Sequence, residues 1–241
     1  MTRSYPYARP YRRPGPCPDL CGFCQCEGLP GSAETASQKP RRSREGPWPI
    51  KRRGAADVFG VDISGEMAAV AQALEERNPL GVRYGVGDVG ELRPLGQHFD
   101  VAVAVQLLNY AQDVAAFEQM CRNVHRNLAP GAEFFVLNQA PDYRFDGPSP
   151  DKYGFRSELT GEETETGPRV RITALLDQHP IEFVTTCPRR EVYEKCLRAA
   201  GFSEVAWVPV EVSDAGVRTF GADFRADFLA TPPLEMLGCR A

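Results

Sequence analysis

Hydrophobic and polar residues follow a regular pattern only after about residue 50. Apolar runs typical of buried strands cover residues 58–61, 99–105 and 133–137, and Val82, Tyr84 and Val86 alternate with other residues as in a strand. Two of the segments between these strands carry apolar residues at helical spacing. These residues are Met67, Val70, Ala71 and Leu74 after the first strand, and Phe117, Met120, Cys121, Val124 and Leu128 before the last. Strands that alternate with helices at these intervals predict an α/β fold with a doubly wound, Rossmann-like parallel sheet.

Residues suited to helix ends bound these segments. Gly54 is a candidate stop for a helix that precedes the first strand, and Gly131 is a candidate stop for the second amphipathic helix. Ser64 and Asp113 are candidate N-caps, because their side-chain oxygens can accept hydrogen bonds from the first backbone amides of a helix. The boundaries therefore agree with the periodicity.

The chain continues beyond a minimal nucleotide-binding fold. Residues 142–169 are rich in Pro, Gly and Glu and predict a polar loop. Residues 170–186 predict an antiparallel hairpin, residues 188–202 a helix, and residues 203–212 a final strand. These additions favour a larger sheet with an antiparallel end.

Residues 1–49 have a different character from the rest. They contain nine prolines, seven arginines and four cysteines, and their only Val, Ile or Leu residues are Leu20 and Leu29. This composition predicts an irregular or disordered segment ahead of a folded domain at residues 50–241. One hypothesis is that residues 1–49 derive from a shifted reading frame or a mis-joined exon, and sequencing the transcript across codons 40 to 60 tests it.

Charge and composition narrow the class of protein. The net charge of −4 divides into +7 for residues 1–54 and −11 for the remainder, but the basic segment lacks the ordered surface of a nucleic-acid reader. No apolar run approaches 18 residues, so we expect neither a membrane span nor a secretory signal. Four cysteines scattered singly beyond residue 50 indicate a reducing, cytoplasmic location.

Cysteines are concentrated in the stretch "CPDLCGFC". Cys17, Cys21 and Cys24 have the C-x3-C-x2-C spacing used by radical-SAM enzymes for an iron–sulfur cluster, and Cys26 follows. Such a motif begins a (βα) barrel, whereas the strands that follow here predict a doubly wound sheet. The alternatives are a structural zinc site and incidental cysteines, and we favour incidental cysteines and predict no metal site.

Polar residues follow three successive predicted strands. Asp62 ends the first strand and can accept hydrogen bonds from both ribose hydroxyls of a nucleoside. Asp88 ends the next and can accept from the exocyclic amine of adenine, with the Val89 amide as a donor beside it. Residues 106–110 ("QLLNY") follow the third strand. Because ligands bind beyond the C-terminal ends of the strands in such sheets, these positions predict a nucleoside site.

Several motifs carry a resemblance to a known family. The stretches "VFGVDISGEMAAVAQ", "GVGDVGEL", "FDVAVAVQLLNYA", "CRNVHRNLAPGAEFFVLNQAP" and "AGFSEV" resemble successive motifs of class I S-adenosyl-L-methionine (SAM)-dependent methyltransferases. Within that family, "LLNYA", "KYGF" and "FRADFLATPP" resemble the small-molecule methyltransferases related to the toxoflavin-pathway N-methyltransferase. The resemblance covers about residues 50–241.

The resemblance implies a fold, a cofactor and a set of contacts. The fold is a seven-stranded methyltransferase sheet whose last hairpin is antiparallel, and the methyl donor is SAM. Asp62 would bind the ribose, Ile63 would flank the adenine, Asp88 and Val89 would recognise the adenine edge, and Gln106 would line the methionine side.

The implied reaction is methyl transfer to a small-molecule acceptor, at a ring nitrogen or oxygen. We predict Asn109, Tyr110 and Asn138 as acceptor-binding residues. In-line displacement at a sulfonium methyl depends mainly on orientation and desolvation, so we assign no catalytic residue. The three histidines are predicted to lie at the surface.

One family motif is not recognisable. A hydrophobic strand of the type hhDhGxGxG should precede residue 51, and residues 19–28 ("DLCGFCQCEG") share only an Asp, a Gly and an "EG" with it. We therefore predict a sheet that lacks its first strand and its Gly-rich loop, and a chain that aggregates or melts early. The alternatives are a methyltransferase-like protein that no longer binds SAM and, less favoured, a nicotinamide-dependent oxidoreductase.

Overall fold

The structure is a computed structural model. It describes residues 19–24, 50–51, 54–175, 180–208, 210–211, 214–221 and 223–241, with the backbone alone described for residues 19–24 and 214–216. No helix within these ranges is long and apolar enough to cross a membrane.

A seven-stranded sheet forms the centre of the molecule. Its order is β3-β2-β1-β4-β5-β10-β9, and every strand runs parallel to its neighbours except β10, which is antiparallel to both β5 and β9. The strands are β1 (Asp19–Cys24), β2 (Asp57–Asp62), β3 (Val82–Val86), β4 (Phe99–Val105), β5 (Leu128–Gln139), β9 (Ser203–Val208) and β10 (Leu234–Arg240). The α/β prediction and its antiparallel last hairpin are confirmed.

Helices connect these strands in the described part of the chain. They are α1 (Gly65–Arg77), α2 (Val114–His125), α3 (Arg190–Ala199), α4 (Asp214–Phe220) and α5 (Ala226–Ala230). The predicted caps are confirmed, since Ser64 Oγ accepts from Met67 N at 3.3 Å and Asp113 Oδ1 accepts from Ala116 N at 2.7 Å. Gly54 has a φ of +100° and donates its N–H to Lys51 O, as a helix stop requires.

The prediction that the sheet lacks its first strand is wrong. Residues 19–24, "DLCGFC", form β1 between β2 and β4, with Gly22 opposite Gly60 on one side and Val103 on the other. The segment has few β-branched residues, so its own propensity for a strand is low. Two strongly apolar neighbours offer hydrogen-bonding partners on both sides, and strand formation depends on such context more than on propensity.

The remaining strands form a separate cap. The antiparallel three-stranded sheet has the order β6-β7-β8, made of β6 (Phe155–Glu163), β7 (Pro168–Ala174) and β8 (Ile181–Thr186). The predicted hairpin is confirmed as β7 and β8. The polar loop predicted for residues 142–169 is wrong in its second half, because β6 pairs with β7 and exposes most of its charged residues to solvent.

Three further details differ from the sequence analysis. Helix α1 buries Ala68 rather than the whole predicted stripe, and Val70 is 46% exposed. Gly131 does not end α2, because the helix stops at His125 and Gly131 lies within β5. The strand predicted as the last is followed by β10, which inserts between β5 and β9.

The main core lies between the sheet and helices α2 and α3. Phe117 of α2 packs edge-to-face against Tyr193 of α3 at a centroid distance of 5.1 Å, and both are buried. Phe134 of β5 stacks on Phe202 at 5.3 Å. Fully buried aromatic side chains contribute strongly to stability, so this core fixes the strand ends that carry the candidate site.

Candidate functional site

The C-terminal ends of β2 and β3 lie side by side. Strand β2 ends at Asp62 and β3 at Val86, and these two residues are paired in the parallel ladder. Gly87 N donates to Asp62 O at 2.9 Å, which continues the pairing one residue past β3. Asp62 and Asp88 therefore lie at the same edge of the sheet, as predicted.

Local hydrogen bonds orient the Asp62 carboxylate. Asp62 Oδ1 accepts from Ser64 N at 2.8 Å, so the turn into α1 fixes the carboxyl group. A carboxylate has two oxygens with about four lone-pair sites. Asp62 can thus bond to the turn and also accept from ligand hydroxyls.

A tight turn presents Asp88. Asp88 is exposed, and its Oδ1 accepts from Gly90 N at 2.7 Å as the N-cap of the 3-10 turn Val89–Glu91. Val89 is 5% exposed and packs into the main core. The turn therefore combines an exposed carboxylate with a buried anchor.

A small cleft lies beside Asp88 at this edge of the sheet. It is lined by Val61, Ile63, Gly87, Asp88, Val89 and Leu107. Ile63 is 52% exposed, an unusual state for an isoleucine that follows a buried strand. An apolar wall with a carboxylate at its rim suits a flat heterocycle that donates a hydrogen bond from its edge.

Gln106 at the end of β4 has a strained backbone. Its φ is +51°, in the left-handed region that non-glycine residues adopt at a cost of about 1–2 kcal/mol. Gln106 N donates to Leu137 O at 2.8 Å, while its buried Oε1 has no hydrogen-bond partner among the described residues. Strain of this kind concentrates at functional sites, and the sequence contained no signal for it.

The predicted acceptor residues are largely buried. Asn109 is 1% exposed, donates from Nδ2 to Thr185 Oγ1 at 2.6 Å, and receives the Thr185 hydroxyl at its backbone oxygen at 3.0 Å. Asn138 is 3% exposed and donates from Nδ2 to the Tyr193 hydroxyl at 2.6 Å. Tyr110 is half-buried beside Asn109. These residues therefore lie at the ends of β4 and β5, and Asn109 is bonded there to β8 of the cap sheet.

The structure adds a residue that the sequence analysis missed. Gln139 is 2% exposed and donates from Nε2 to Ser157 Oγ of β6 at 2.8 Å, and its buried Oε1 has no partner in the described part of the chain. The amide oxygens of Asn109 and Asn138 are likewise buried without a partner from the described residues. The sequence did contain a signal, since Gln139 is a polar residue that directly follows Asn138 at the end of a buried strand.

Burial controls the ionisation of Tyr193. Desolvation raises the pKa of its hydroxyl far above the usual value, and the hydrogen bond from Asn138 opposes this only in part. Tyr193 is therefore a neutral hydroxyl at the sheet end.

The two described histidines lie away from the candidate site. His98 is exposed just before the start of β4, at the opposite edge of the sheet. His125 is half-buried and packs edge-to-face on Phe202 at 4.9 Å, so its predicted surface position is wrong. His179 lies outside the described residues.

The cysteine-rich stretch is only partly described. Cys17 and Cys26 lie outside the described residues, and the backbone of Cys21 and Cys24 is part of β1. Three residues of extended strand span about 10 Å, and pairing on both sides holds that backbone extended. That the four cysteines are incidental stays a prediction. No group of three or more potential metal ligands occurs within the described ranges.

Part of the chain is similar in sequence to known proteins. A family model described as a methyltransferase domain matches residues 48–131. The chain is 35% identical over 69 residues to a ubiquinone biosynthesis O-methyltransferase from Azorhizobium caulinodans, a match that covers 29% of this chain and 27% of that protein. The matched segment thus spans about a quarter of that relative's length.

Solved structures share the fold over nearly the whole chain. A SAM-dependent methyltransferase from Mesorhizobium loti aligns with a TM-score of 0.59 at 18% identity, covering 95% of this chain and 93% of that one. A SAM-bound amino pentose methyltransferase from Micromonospora echinaspora, involved in calicheamicin biosynthesis, aligns with a TM-score of 0.56 at 18% identity, covering 93% and 83%. These matches show that the chain has the fold of these methyltransferases.

Proposed function

We propose that this protein transfers the methyl group of SAM to a small-molecule acceptor. The observation that carries the proposal is that Asp62 ends β2 and Asp88 follows the end of β3, its parallel neighbour, where Ile63 and Asp88 line a small cleft. Carboxylates in this arrangement suit the ribose hydroxyls and the adenine amine of one nucleoside. The methyltransferase-domain match over residues 48–131 includes both of them.

The described residues fit the adenosine part of SAM. The Asp62 carboxylate would accept from the ribose hydroxyls, and Ile63 would cover one face of the adenine. Asp88 would accept from the exocyclic amine while the Val89 amide donates to the ring. The buried Oε1 of Gln106, which no described residue satisfies, is a further acceptor at the adjoining strand end, on the side proposed for the methionine part.

When bound, SAM supplies an electrophilic methyl group on a sulfonium. The chain's own contribution is to orient the acceptor and exclude water. Asn109 and Tyr110 follow β4, Asn138 lies near the end of β5, and Thr185 of the cap sheet bonds to Asn109. We propose these residues, together with Gln139, for contact with the acceptor.

The names of two similar proteins support the proposed class of methyl acceptor. Two of the similar proteins carry names that specify an O-methyltransferase of ubiquinone biosynthesis and an amino pentose methyltransferase. They support a small organic acceptor bearing a hydroxyl or an amine.

We also propose a reducing, cytoplasmic location for the protein. Among the described residues, Cys121, Cys187, Cys196 and Cys239 are free thiols, which supports this location.

The test is calorimetric titration of SAM into the full-length protein. Micromolar binding that is lost in Asp62→Ala is the expected result, because the variant removes the proposed ribose acceptor and leaves the cleft walls in place. Glu66→Ala, on the exposed first turn of α1, is the matched control and should bind like the wild type. A folded wild-type protein that does not bind SAM would favour the alternative, a methyltransferase-like protein without cofactor.

A further inference from the structure

A buried asparagine connects α2 to the turn that carries Asp88. Asn123 is 1% exposed, and its Nδ2 donates to both Val89 O and Gly90 O at 2.7 Å. Its Oδ1 accepts from Gln119 Nε2 at 2.8 Å, one helical turn earlier. The side chain thus uses both of its N–H donors on one three-residue turn.

These contacts determine the orientation of the Asn123 amide. Backbone carbonyls only accept hydrogen bonds, so the opposite orientation would direct the amide oxygen at two other oxygens. Hydrophobic side chains cannot replace this interaction, because removal of the amide would leave two carbonyl oxygens without their donor. The assignment of Asn123 as a double donor therefore follows from its surroundings.

Local hydrogen bonds hold the first half of the turn, where Glu91 N donates to Asp88 O at 3.0 Å and Gly90 N donates to Asp88 Oδ1 at 2.7 Å. Short 3-10 turns have poor hydrogen-bond geometry, and here the bond from Leu92 N to Val89 O is long, at 3.4 Å. Asp88 is exposed, so packing does not fix its position. The buried Val89 side chain ties this turn to the main core, and the two hydrogen bonds from Asn123 tie it to α2.

We propose that Asn123 is a positioning residue for adenine recognition. It fixes the turn Val89–Glu91 so that the Asp88 carboxylate and the Val89 amide meet the adenine edge at hydrogen-bonding distance. This inference rests on the proposed function, since it assumes that adenine binds against Asp88.

The structure offers a matched control residue beside the same element. Asn127 follows α2 by two residues, is also 1% exposed, and likewise bonds to the segment between β3 and β4. Its Oδ1 accepts from Leu95 N at 2.8 Å and its Nδ2 donates to Asn123 O at 2.8 Å. Asn127 therefore anchors the far end of the same segment, away from Asp88.

The experiment compares two probes that differ only at the adenine edge. S-adenosylhomocysteine presents an amine to Asp88, whereas its S-inosyl analogue presents a carbonyl oxygen that the carboxylate repels. For the wild type we expect a preference for the adenosyl compound of at least about 100-fold, as for other sites that bind a specific donor. Calorimetry on the full chain measures both affinities.

Asn123→Leu should lower that preference to about tenfold or less, while Asn127→Leu should leave it within about twofold of the wild type. If Asn123 had only a structural role, both variants would be less stable than the wild type, and both would keep its preference for the adenosyl compound. Because Asn123→Leu could fail to fold, Gln119→Met serves as a milder variant that removes only the bond orienting the Asn123 amide. We expect it to lower the preference by about threefold.

The outcomes separate the two proposals. A wild type that discriminates between the probes, with Asn123→Leu and Gln119→Met discriminating equally well, overturns the positioning role alone. A wild type that binds neither probe overturns the proposed function and the positioning role together. A loss of preference in Asn127→Leu equal to that in Asn123→Leu also contradicts the specific role of Asn123.

Discussion

At the scale of single residues, Gln106 is the clearest compromise between stability and function. It combines a left-handed backbone with a buried amide oxygen that none of the described residues satisfies. Each feature costs free energy, and neither improves the packing of β4. The proposed binding role would account for both, because a ligand that donates to Oε1 would satisfy the amide and benefit from its fixed position.

Replacing Gln106 by glycine should separate these two effects. Glycine adopts a positive φ without steric cost, so Gln106→Gly should leave the free energy of unfolding unchanged or raise it by up to about 1 kcal/mol. SAM affinity should fall about tenfold through loss of one hydrogen bond. Urea denaturation and calorimetry measure the two quantities.

Gln106→Ala is the control for that comparison. It removes the amide and keeps the Cβ that makes a positive φ unfavourable, so it should lose affinity without gaining stability. A glycine variant less stable than the alanine variant would contradict the assignment of strain to this position.

At the scale of elements, β1 decides whether the sheet is continuous. It pairs with β2 and β4 along the segment Asp19–Cys24, so β2 and β4 each have a partner on both sides. A central parallel strand contributes backbone hydrogen bonds in both directions. The cysteine-rich stretch is therefore part of the framework under the candidate site.

Proline at position 22 should test this role of β1. Proline lacks the backbone N–H and clashes within a central strand, so Gly22→Pro should lower the free energy of unfolding by about 3 kcal/mol or more. Gly22→Ala keeps the N–H and should cost clearly less. Equal stability of the wild type and the proline variant in urea denaturation would show that residues 19–24 do not pair in the sheet.

At the scale of the whole molecule, one continuous sheet and one main core predict cooperative unfolding. Early melting was predicted because the sheet was expected to lack its first strand. The presence of β1 removes that reason. We expect a single thermal transition in the range of roughly 45–65 °C. Differential scanning calorimetry checks this, and aggregation without a transition would contradict it.

Buried thiols should make the stability of the whole molecule decline in alkali. Burial raises the pKa of Cys187 and of Cys239 from 9.0 to about 12 in each case, and that of Cys196 to about 11. Because the folded pKa is the higher one, the contribution to stability is complete below pH 9 and is lost as the pH rises toward the folded value. Each thiol should lower the free energy of unfolding by up to about 1.4 kcal/mol per pH unit in that window.

Between about pH 10 and 11.5, the free energy of unfolding should fall less steeply with pH in Cys239→Ala, because one of the contributing thiols is removed. Urea denaturation at several pH values measures the slope, with Thr186→Ala, a buried polar site that does not titrate, as the control. A slope identical in the wild type and Cys239→Ala would contradict the burial of this thiol in the folded state.

Much of the fold and part of the site could be predicted from the sequence alone. The apolar runs of β2, β4 and β5 and the stripe of α2 are local patterns that reflect burial directly. Asp62 and Asp88 were recognisable because strand ends in a parallel sheet share one edge. The boundaries failed where a local signal was ambiguous, as at Gly131, which resembles a helix stop but lies within β5.

The sequence by itself determined the alternation of strands and helices, the capping residues and the two strand-end carboxylates, because each depends on neighbours in the chain. Only the tertiary structure decided that "DLCGFC" is a strand, that β10 inserts beside β5, and that Asn123 reaches the Asp88 turn. Such features depend on distant partners, as the bond from Asn123 to Val89, 34 residues away in the chain, illustrates. A strand with weak propensity or an amide on a helix acquires its role from whatever the fold places beside it.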